Sequence, residues 1–350
     1  GWSWKTNILR DRKRRQCLVA ATPRCDGLGD LFLLRNGHLP CYCFCHTPLR
    51  PCFDPEYFQR VAPKYHGWKK LPLHMARSGF RAIDRWLWRR YRYVFFNSEE
   101  TLGRARAGGL LRSIGDRYEI AHPGLDVNRS PVSERFEPFF LVPGRIMWTK
   151  NIESAVAGFL EMKRRGPGTA AFRMVVAGHV DEKSRPYLQA LRRLAAGRED
   201  IEFVISPSDA ELSDLYRRCY AAVFTAWNED WGMAPLEANA AGKPVLASRR
   251  GGLLESQVDG VTGFLVEPEV SDIAAGLLRL AKSPARVRMM GAIARLRVAR
   301  FDWSNLVRRI DDVLEERAGD PGCRTESARP ASCVRVSIPL EVKKEAEHDA

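Results

Sequence analysis

Residues 221–247 read AAVFTAWNEDWGMAPLEANAAGKPVLA. The opening run Ala221-Ala222-Val223-Phe224 is short and wholly apolar, the pattern of a strand buried on both faces, and Pro244-Val245-Leu246-Ala247 repeats it. Between them a helical stretch begins near Met233, with Pro235 early in it, where first-turn N–H groups have no intrahelical partner and a missing one costs nothing. Strand, helix and strand in this order predict a parallel pair joined by a crossover.

The same rhythm extends upstream. Phe139-Phe140-Leu141-Val142 precedes a helix whose Ile152, Val156, Phe159 and Leu160 share one face. Met174-Val175-Val176-Ala177-Gly178 and Ile201-Glu202-Phe203-Val204-Ile205 follow as further buried strands. Repeated β-α-β implies an α/β domain with a parallel sheet covered on both faces, whose ligands bind beyond the carboxyl ends of the strands. The first part of the chain is less regular. Strand-like runs occur at Cys17-Leu18-Val19-Ala20, Tyr42-Cys43-Phe44-Cys45 and Tyr93-Val94-Phe95-Phe96, with a long helix near residues 73 to 91, which reads as an incomplete α/β domain. His122-Pro123-Gly124 and Ser130-Pro131 punctuate the chain where a linker would sit. The organisation read from these signals is a first domain over 1–130, a second over 131–318 whose last helix crosses back to the first, and a flexible tail over 319–350.

At 350 residues the chain has length for two ordinary domains. No window approaches eighteen uninterrupted apolar residues, and the N-terminal residues lack the pattern of a signal peptide, so a cytoplasmic protein is expected. The net charge of +14 is concentrated at one end: residues 1–130 hold 24 Lys and Arg against 11 Asp and Glu, the remainder 32 against 31. Such a field favours an anionic partner. Leu71, Leu73, Phe80, Ile83, Trp86, Leu87 and Trp88, interleaved with Arg77, Arg81, Arg85, Arg89, Arg90 and Arg92, suit an anionic membrane surface, or equally a helix packed on its sheet with an Arg-rich outer face. No nucleic-acid-binding motif accompanies the charge, and no specific nucleic acid is expected. Cys41, Cys43 and Cys45 alternate along a strand, where side chains two apart stand roughly 6.6 Å from one another, too far for sulfurs sharing one zinc, so they read as reduced core thiols.

Chemistry is expected at the start of the 233 helix. Its free N–H groups, those of Met233 and Ala234 among them, and its positive dipole end suit a diphosphate, and Gly232 lets a phosphate oxygen approach the backbone. Glu229 stands on the preceding loop and Glu237 about one turn inside the helix, so both carboxylates can flank one ligand. Glu237 would accept from a ribose diol and Glu229 from sugar hydroxyls. Either acid alone would equally well be there to favour the helix dipole.

The Glu-x7-Glu spacing, the Gly-Met-Ala-Pro-Leu-Glu-Ala core and Gly242-Lys243-Pro244-Val245 resemble the donor-site signature of retaining glycosyltransferases of the GT-B fold, family four. Gly144-Arg145 followed by Lys150-Asn151, Gly251-Gly252-Leu253-Leu254-Glu255, and Asp259-Gly260-Val261-Thr262-Gly263-Phe264-Leu265-Val266 resemble further segments of that family, in its order. In the first domain, Cys45-His46-Thr47-Pro48-Leu49-Arg50, Phe96-Asn97-Ser98 and His122-Pro123-Gly124-Leu125-Asp126 resemble its acceptor-side motifs. The resemblance covers residues 40 to 317.

It implies two Rossmann-like domains facing across a cleft, the first of them incomplete, and transfer of a hexose from a nucleotide-diphosphate sugar with retained configuration. Arg145 and Lys150 would neutralise the leaving diphosphate, Gly144 would lie beside it, His46 would contact the transferred sugar or the acceptor, and the base would lie near Ser206, where the family often has Gly. The segment around His46 favours GDP-mannose, with a UDP-sugar as the alternative. The acceptor would be a saccharide or a polyprenyl-linked precursor at the inner membrane face. No Asp-x-Asp is present, and neither a metal nor another cofactor is expected. The family begins with a strand and Gly-rich turn well before the His-Thr-Pro segment, and Gly27-Leu28-Gly29-Asp30 does not supply a phosphate loop. An N-terminally truncated chain is therefore expected, with a catalytically inactive nucleotide-sugar-binding module as the alternative function. A nucleotide-sugar epimerase or dehydrogenase would need a Gly-x-Gly-x-x-Gly turn that is not visible.

Overall fold

The computed structural model describes residues 8–11, 16–19, 30, 33–34, 40–61, 70–127 and 132–318. Two sheets organise them. The first holds β1 (Ile8–Asp11), β2 (Gln16–Val19), β3 (Cys41–Cys45), β4 (Tyr91–Phe96) and β5 (Tyr118–Ile120) in that spatial order. β1 and β2 pair antiparallel and the others parallel. The second holds β6 (Phe139–Pro143), β7 (Arg173–Gly178), β8 (Ile201–Ile205), β9 (Ala221–Phe224), β10 (Val245–Ser248) and β11 (Gly263–Val266). Its order is β11-β10-β9-β6-β7-β8 with every pair parallel.

Counted from β6, that order is the doubly wound 3-2-1-4-5-6 arrangement. The chain winds outward from β6 to β8, returns to the other side of β6 at β9, and winds outward again to β11. The switch falls between β6 and β9, so the loops leaving these two neighbours diverge and open a crevice. Continuous apolar strands follow from burial on both faces: Phe139, Phe140, Leu141, Met174, Val176, Val223 and Leu246 are all buried. The helix Ile152–Arg165 lays Ile152, Val156 and Phe159 on this core, and a Cβ at Gly158 would fall 2.5 Å from the Ile273 side chain, so the helix Val270–Ala281 closes tightly against it.

Several boundaries differ from the sequence reading. The long helix is Lys70–Trp88, not 73 to 91, because Tyr91 is already on β4 and buried in the first core with Cys43, Leu87 and Phe96. β2 and β10 are each displaced by one residue from the runs read as strands. β1, β5 and β11 were not expected as strands. β11 begins at Gly263, where a Cβ would sit 1.8 Å from the Val245 carbonyl, and the hydrophobic run that follows is only three residues long. Of the apolar residues on the 70–88 helix, Leu87 and Trp88 are core, whereas Ile83 and Trp86 are about half exposed. Cys41, Cys43, Cys45, Cys52 and Cys219 are buried, and none of them is in a disulfide. Gly27, Leu28 and Gly29, Ser130-Pro131 and the tail from 319 lie outside the described residues.

The chain crosses between the two sheets twice, side by side. Leu125 N–H donates to the Phe301 carbonyl at 3.0 Å, and Trp303 N–H donates back to the Leu125 carbonyl at 3.3 Å. The last helix, Trp303–Ala318, then packs Leu306 and Val313 on Tyr42, Tyr93 and Phe95 of the first sheet. Arg309 seals it through a bidentate pair with Glu119. Among the described residues no helix is long and apolar enough to cross a membrane.

Candidate active site

Both walls of the crevice are loops that leave the sheet at its switch point. β6 ends at Pro143 and the chain turns at Gly144, whose φ of 119° suits glycine; a Cβ on Gly178 of β7 would fall 1.7 Å from the Gly144 carbonyl, so the turn lies directly on that strand end. A 3-10 turn, Trp148–Lys150, follows and ends at Asn151 in the left-handed region. On the other side β9 delivers Thr225. Asn151 Nδ2 donates to the Thr225 carbonyl at 3.0 Å and Thr225 Oγ1 donates to the Asn151 carbonyl at 2.7 Å, which stitches the loops together.

The stitch brings Lys150 and Glu229, 79 residues apart, into a 2.6 Å ion pair. The helix Met233–Ala240 starts at Gly232, with φ at 88° and no side chain capping it, which leaves the amides of Met233 and Ala234 at its start without a side-chain partner there. Glu237 stands one turn in, with Oε2 accepting from the Tyr216 hydroxyl at 2.9 Å. Burial pushes its carboxyl above the usual range, against the Tyr216 hydrogen bond. The Glu229 backbone is itself held: its carbonyl accepts from Gly252 N–H at 2.9 Å, and Ser248 Oγ donates to the Ala226 carbonyl at 2.6 Å.

The remaining expected residues follow the ends of β6, β8 and β3. Arg145 is exposed on the loop after β6, where its charge adds to the Ser184 hydrogen bonds that hold Asp181 low. Ser206 follows β8 with φ at 53°, and its Oγ lies 3.2 Å from His179 Nδ1. That left-handed conformation is the physical reason glycine suits this position. His46 follows β3 of the first domain with its ring 4.9 Å from Phe44 in an edge contact. Burial pulls its imidazole down to about 4, with the Asp230 charge opposing, so it is neutral at neutral pH. Among the described residues no group of three or more His, Cys, Asp and Glu is placed to hold a metal ion.

The sequence reading missed the clasp that joins the domains beside Glu229. Asp230 takes Arg50 Nη2 at 2.6 Å and Arg104 Nη1 on the same oxygen, while Ser98 Oγ donates to its carbonyl. Burial would raise this carboxyl, but the Arg104 and Arg50 charges and their hydrogen bonds outweigh it and leave it below the usual range. Arg50 also donates to the Asn228 carbonyl at 2.7 Å. Glu255 reaches across the cleft to cap the helix Glu99–Ala107, accepting from Glu99 N–H at 2.8 Å and Glu100 N–H at 3.2 Å, where a carboxylate meets the positive helix end. Glu100 and Arg104, four apart on one helix, were the readable signal; their partners on the other domain were not.

Comparison with known proteins places this geometry. Residues 128–297, which carry both crevice loops, match the family model described as Glycosyl transferases group 1. A D-inositol 3-phosphate glycosyltransferase of Nocardia farcinica is 31% identical over 205 residues, covering 54% of this chain and 45% of the relative. An alpha-1,3/1,6-mannosyltransferase ALG2 of Dictyostelium discoideum is 28% identical over 200 residues, covering 53% and 48%. The chain spans about half the length of these curated relatives. Among solved structures, Anabaena Alr3699/HepE in complex with UDP superposes with a TM-score of 0.65 at 17% identity, covering 83% of this chain and 76% of that one. A sucrose-phosphate synthase of Thermosynechococcus elongatus gives 0.67 at 18%, covering 83% and 71%. The match to the glycosyl transferases group 1 model falls on the second domain, and the fold of the chain is GT-B, with two Rossmann-like domains facing across a cleft.

Proposed function

We propose that the protein is a glycosyltransferase that moves a hexose from a nucleotide-diphosphate sugar to an acceptor hydroxyl. The observation that carries this reading is the Lys150–Glu229 pair held at the uncapped start of the 233–240 helix, with Glu237 one turn deeper. The diphosphate lies at the amides of Met233 and Ala234 beside Gly232 and Gly144, and takes Lys150 from Glu229. Glu229, released, accepts from hydroxyls of the sugar, and Glu237 from the ribose diol, with the base toward Ser206. The C1–O bond to the diphosphate breaks as the acceptor oxygen bonds to C1; the electron pair leaves with the nucleoside diphosphate, whose departing oxygen takes the proton of the acceptor hydroxyl. Lys150 and Arg145 stabilise that growing negative charge, the role for which pre-placed cations are worth most. His46, neutral, supplies a hydrogen bond to the sugar or the acceptor rather than a charge.

Transfer proceeds with retention and without a metal, the cations and the helix end standing where a divalent ion otherwise would. The donor is GDP-mannose, supported by the segment around His46 and by relatives named as mannosyltransferases; a UDP-sugar is the alternative. The acceptor is a saccharide, free or polyprenyl-linked. Met75, Ile83 and Trp86, 67, 50 and 47% exposed, fall on one face of the 70–88 helix and support contact with an anionic membrane surface.

The test is a thermal-shift panel of nucleotide sugars followed by a transfer assay with and without EDTA. A preferred donor raises the melting temperature by mass action, and turnover persists in EDTA. Stabilisation by no nucleotide sugar refutes the reading; stabilisation without transfer or hydrolysis makes the chain a binding module; activity restored only by magnesium or manganese refutes the metal-free step.

A further inference from the structure

A pocket of about 280 Å³, counting the solvent in its open mouth, lies where the first domain meets both crevice loops. Tyr57 and Arg60 of the helix Pro55–Val61 line it, with Glu56 at its rim, Arg50 below them, and Trp148 and Trp227 from the second domain. Trp148 is two residues before Lys150, and Trp227 two before Glu229. Whatever occupies this pocket is therefore held by the same two loops that carry the pair assigned to the donor.

The lining is aromatic and electrically balanced. Tyr57 and Trp148 have ring centroids 5.7 Å apart, and the Arg60 guanidinium lies 4.1 Å from the centre of the Trp227 ring. Both arginines are already engaged. Arg50 is bound to Asp230 and to the Asn228 carbonyl, and Arg60 pairs with Glu56 at 3.1 Å while covering Trp227. A phosphate or uronate entering here would meet no uncommitted cation in the lining and two carboxylates, Asp54 and Glu56. A neutral ring with apolar C–H faces and hydroxyl edges meets what the lining does offer: indole and phenol surfaces for the faces, and the Arg60–Glu56 pair for the hydroxyls. The hollow is open to solvent rather than enclosed, so a ring would lie against its aromatic wall instead of filling a cavity.

We propose that this pocket is the acceptor subsite and that it selects a neutral, unphosphorylated pyranose, seated against Trp148 and Trp227. The inference rests on the glycosyltransferase reading above, and it makes the two tryptophans specificity-determining residues outside the donor site.

The experiment uses the full chain and two titrations followed by tryptophan fluorescence and calorimetry. Wild-type protein is titrated with GDP-mannose and UDP-glucose, and separately with methyl α-mannopyranoside, methyl β-glucopyranoside, mannose 6-phosphate and glucuronate. The expected result is quenching by one or both neutral glycosides, with affinity at least about tenfold better than for the charged sugars. Trp148→Leu and Trp227→Leu weaken glycoside binding about tenfold each while donor affinity stays within twofold of wild type; Trp227→Phe, which keeps a ring, retains most of it. Circular dichroism of each variant accompanies the titrations, and Trp227→Phe carries the test if a leucine variant fails to fold. Tighter binding of the charged sugars, no binding of any glycoside to protein that binds donor, or a loss of donor affinity in the tryptophan variants overturns the proposal; the last result would make the pocket a base site. Failure of wild type to bind either nucleotide sugar counts against the glycosyltransferase reading instead, because glycoside binding is read without donor.

Discussion

Asparagine at position 230 should loosen the joint between the domains without disturbing either core. The Asp230 carboxylate, 26% exposed, serves two first-domain arginines whose side chains are 13% and 5% exposed. Stripping a partner from a fully buried ion pair costs about 3–5 kcal/mol because a bare charge is left behind. Neither arginine is left bare here. Arg104 keeps Glu100 at 3.0 Å and Thr47 at 2.9 Å, and Arg50 keeps the Asn228 carbonyl. The loss is therefore that of charge-assisted hydrogen bonds, about 1.5–3 kcal/mol. Because the bonds span the domains, a double-mutant cycle of Asp230→Asn with Arg104→Gln should give a coupling of about 1 kcal/mol or more by denaturant unfolding. The pH dependence fixes the sign. The folded carboxyl lies below its ordinary value, so its contribution is fully present above the usual aspartate range near about 4 and disappears as the pH falls through the lower folded value. The stability gap between wild type and Asp230→Asn should be constant from pH 6 to 8 and close in acid. A gap that persists undiminished at pH 3, or strict additivity in the cycle, refutes the clasp.

Other expectations follow from the same geometry. Glu229→Gln should cut transfer by about 10²-fold or more, since the proposed role has the group act on the reacting sugar, yet change the melting temperature little, because the Lys150–Glu229 pair is 29% and 22% exposed. Tyr216→Phe removes the hydrogen bond that favours ionised Glu237 and should weaken donor affinity more at pH 6 than at pH 8, as calorimetry at the two values would reveal. His46 should show an NMR titration midpoint near about 4, lower still in Asp230→Asn, so any rate change between pH 6 and 8 must come from another group. Burial, then the neighbouring Asp30 carboxyl, pushes Asp84 up to about 9. A raised acid favours folding below its ordinary pKa and loses that contribution as the pH climbs through the folded value, so Asp84→Asn should flatten the wild-type decline in melting temperature between pH 5 and 9.

The second domain was readable because its signals are local. β6, β7, β9 and β10 are short, mostly apolar runs, and the Gly232–Glu237 segment encodes a helix start within six residues; β8, expected as a buried strand, is instead the sheet's edge, with Glu202 and Ile205 exposed. Sequence adjacency could also place Lys150 after β6 and Glu229 after β9. What it could not supply was the strand order that makes these loops neighbours, since β9 skips back across the sheet to pair with β6. The clasp was harder still. Asp230 pairs with residues 180 and 126 positions away, and nothing local to Arg50 or Arg104 announces a partner in another domain. The end of the 70–88 helix was misread for a related reason: Arg89 and Arg90 continue its charge pattern, and only the demand of Tyr91 for a place in the first core ends it.

Glu229 and Asp230 are consecutive, yet they answer to different parts of the molecule. Glu229 faces Lys150 within the second domain, and Asp230 faces Arg50 and Arg104 of the first. The loop bearing them is pinned by the Gly252 N–H bond to the Glu229 carbonyl and by the Trp231 indole, whose Nε1 donates to the Pro123 carbonyl in the crossing segment at 2.9 Å. A donor that takes Lys150 from Glu229 exchanges one ion pair for another rather than burying new charge. That exchange must be accommodated one peptide bond from the group that holds the domains together. In the proposed complex, a displacement of Glu229 toward the sugar therefore falls one peptide bond from the residue that pairs with Arg50 and Arg104. It follows that weakening the clasp should change donor affinity as well as stability, and that donor should in turn change the strength of the clasp by the same coupling free energy.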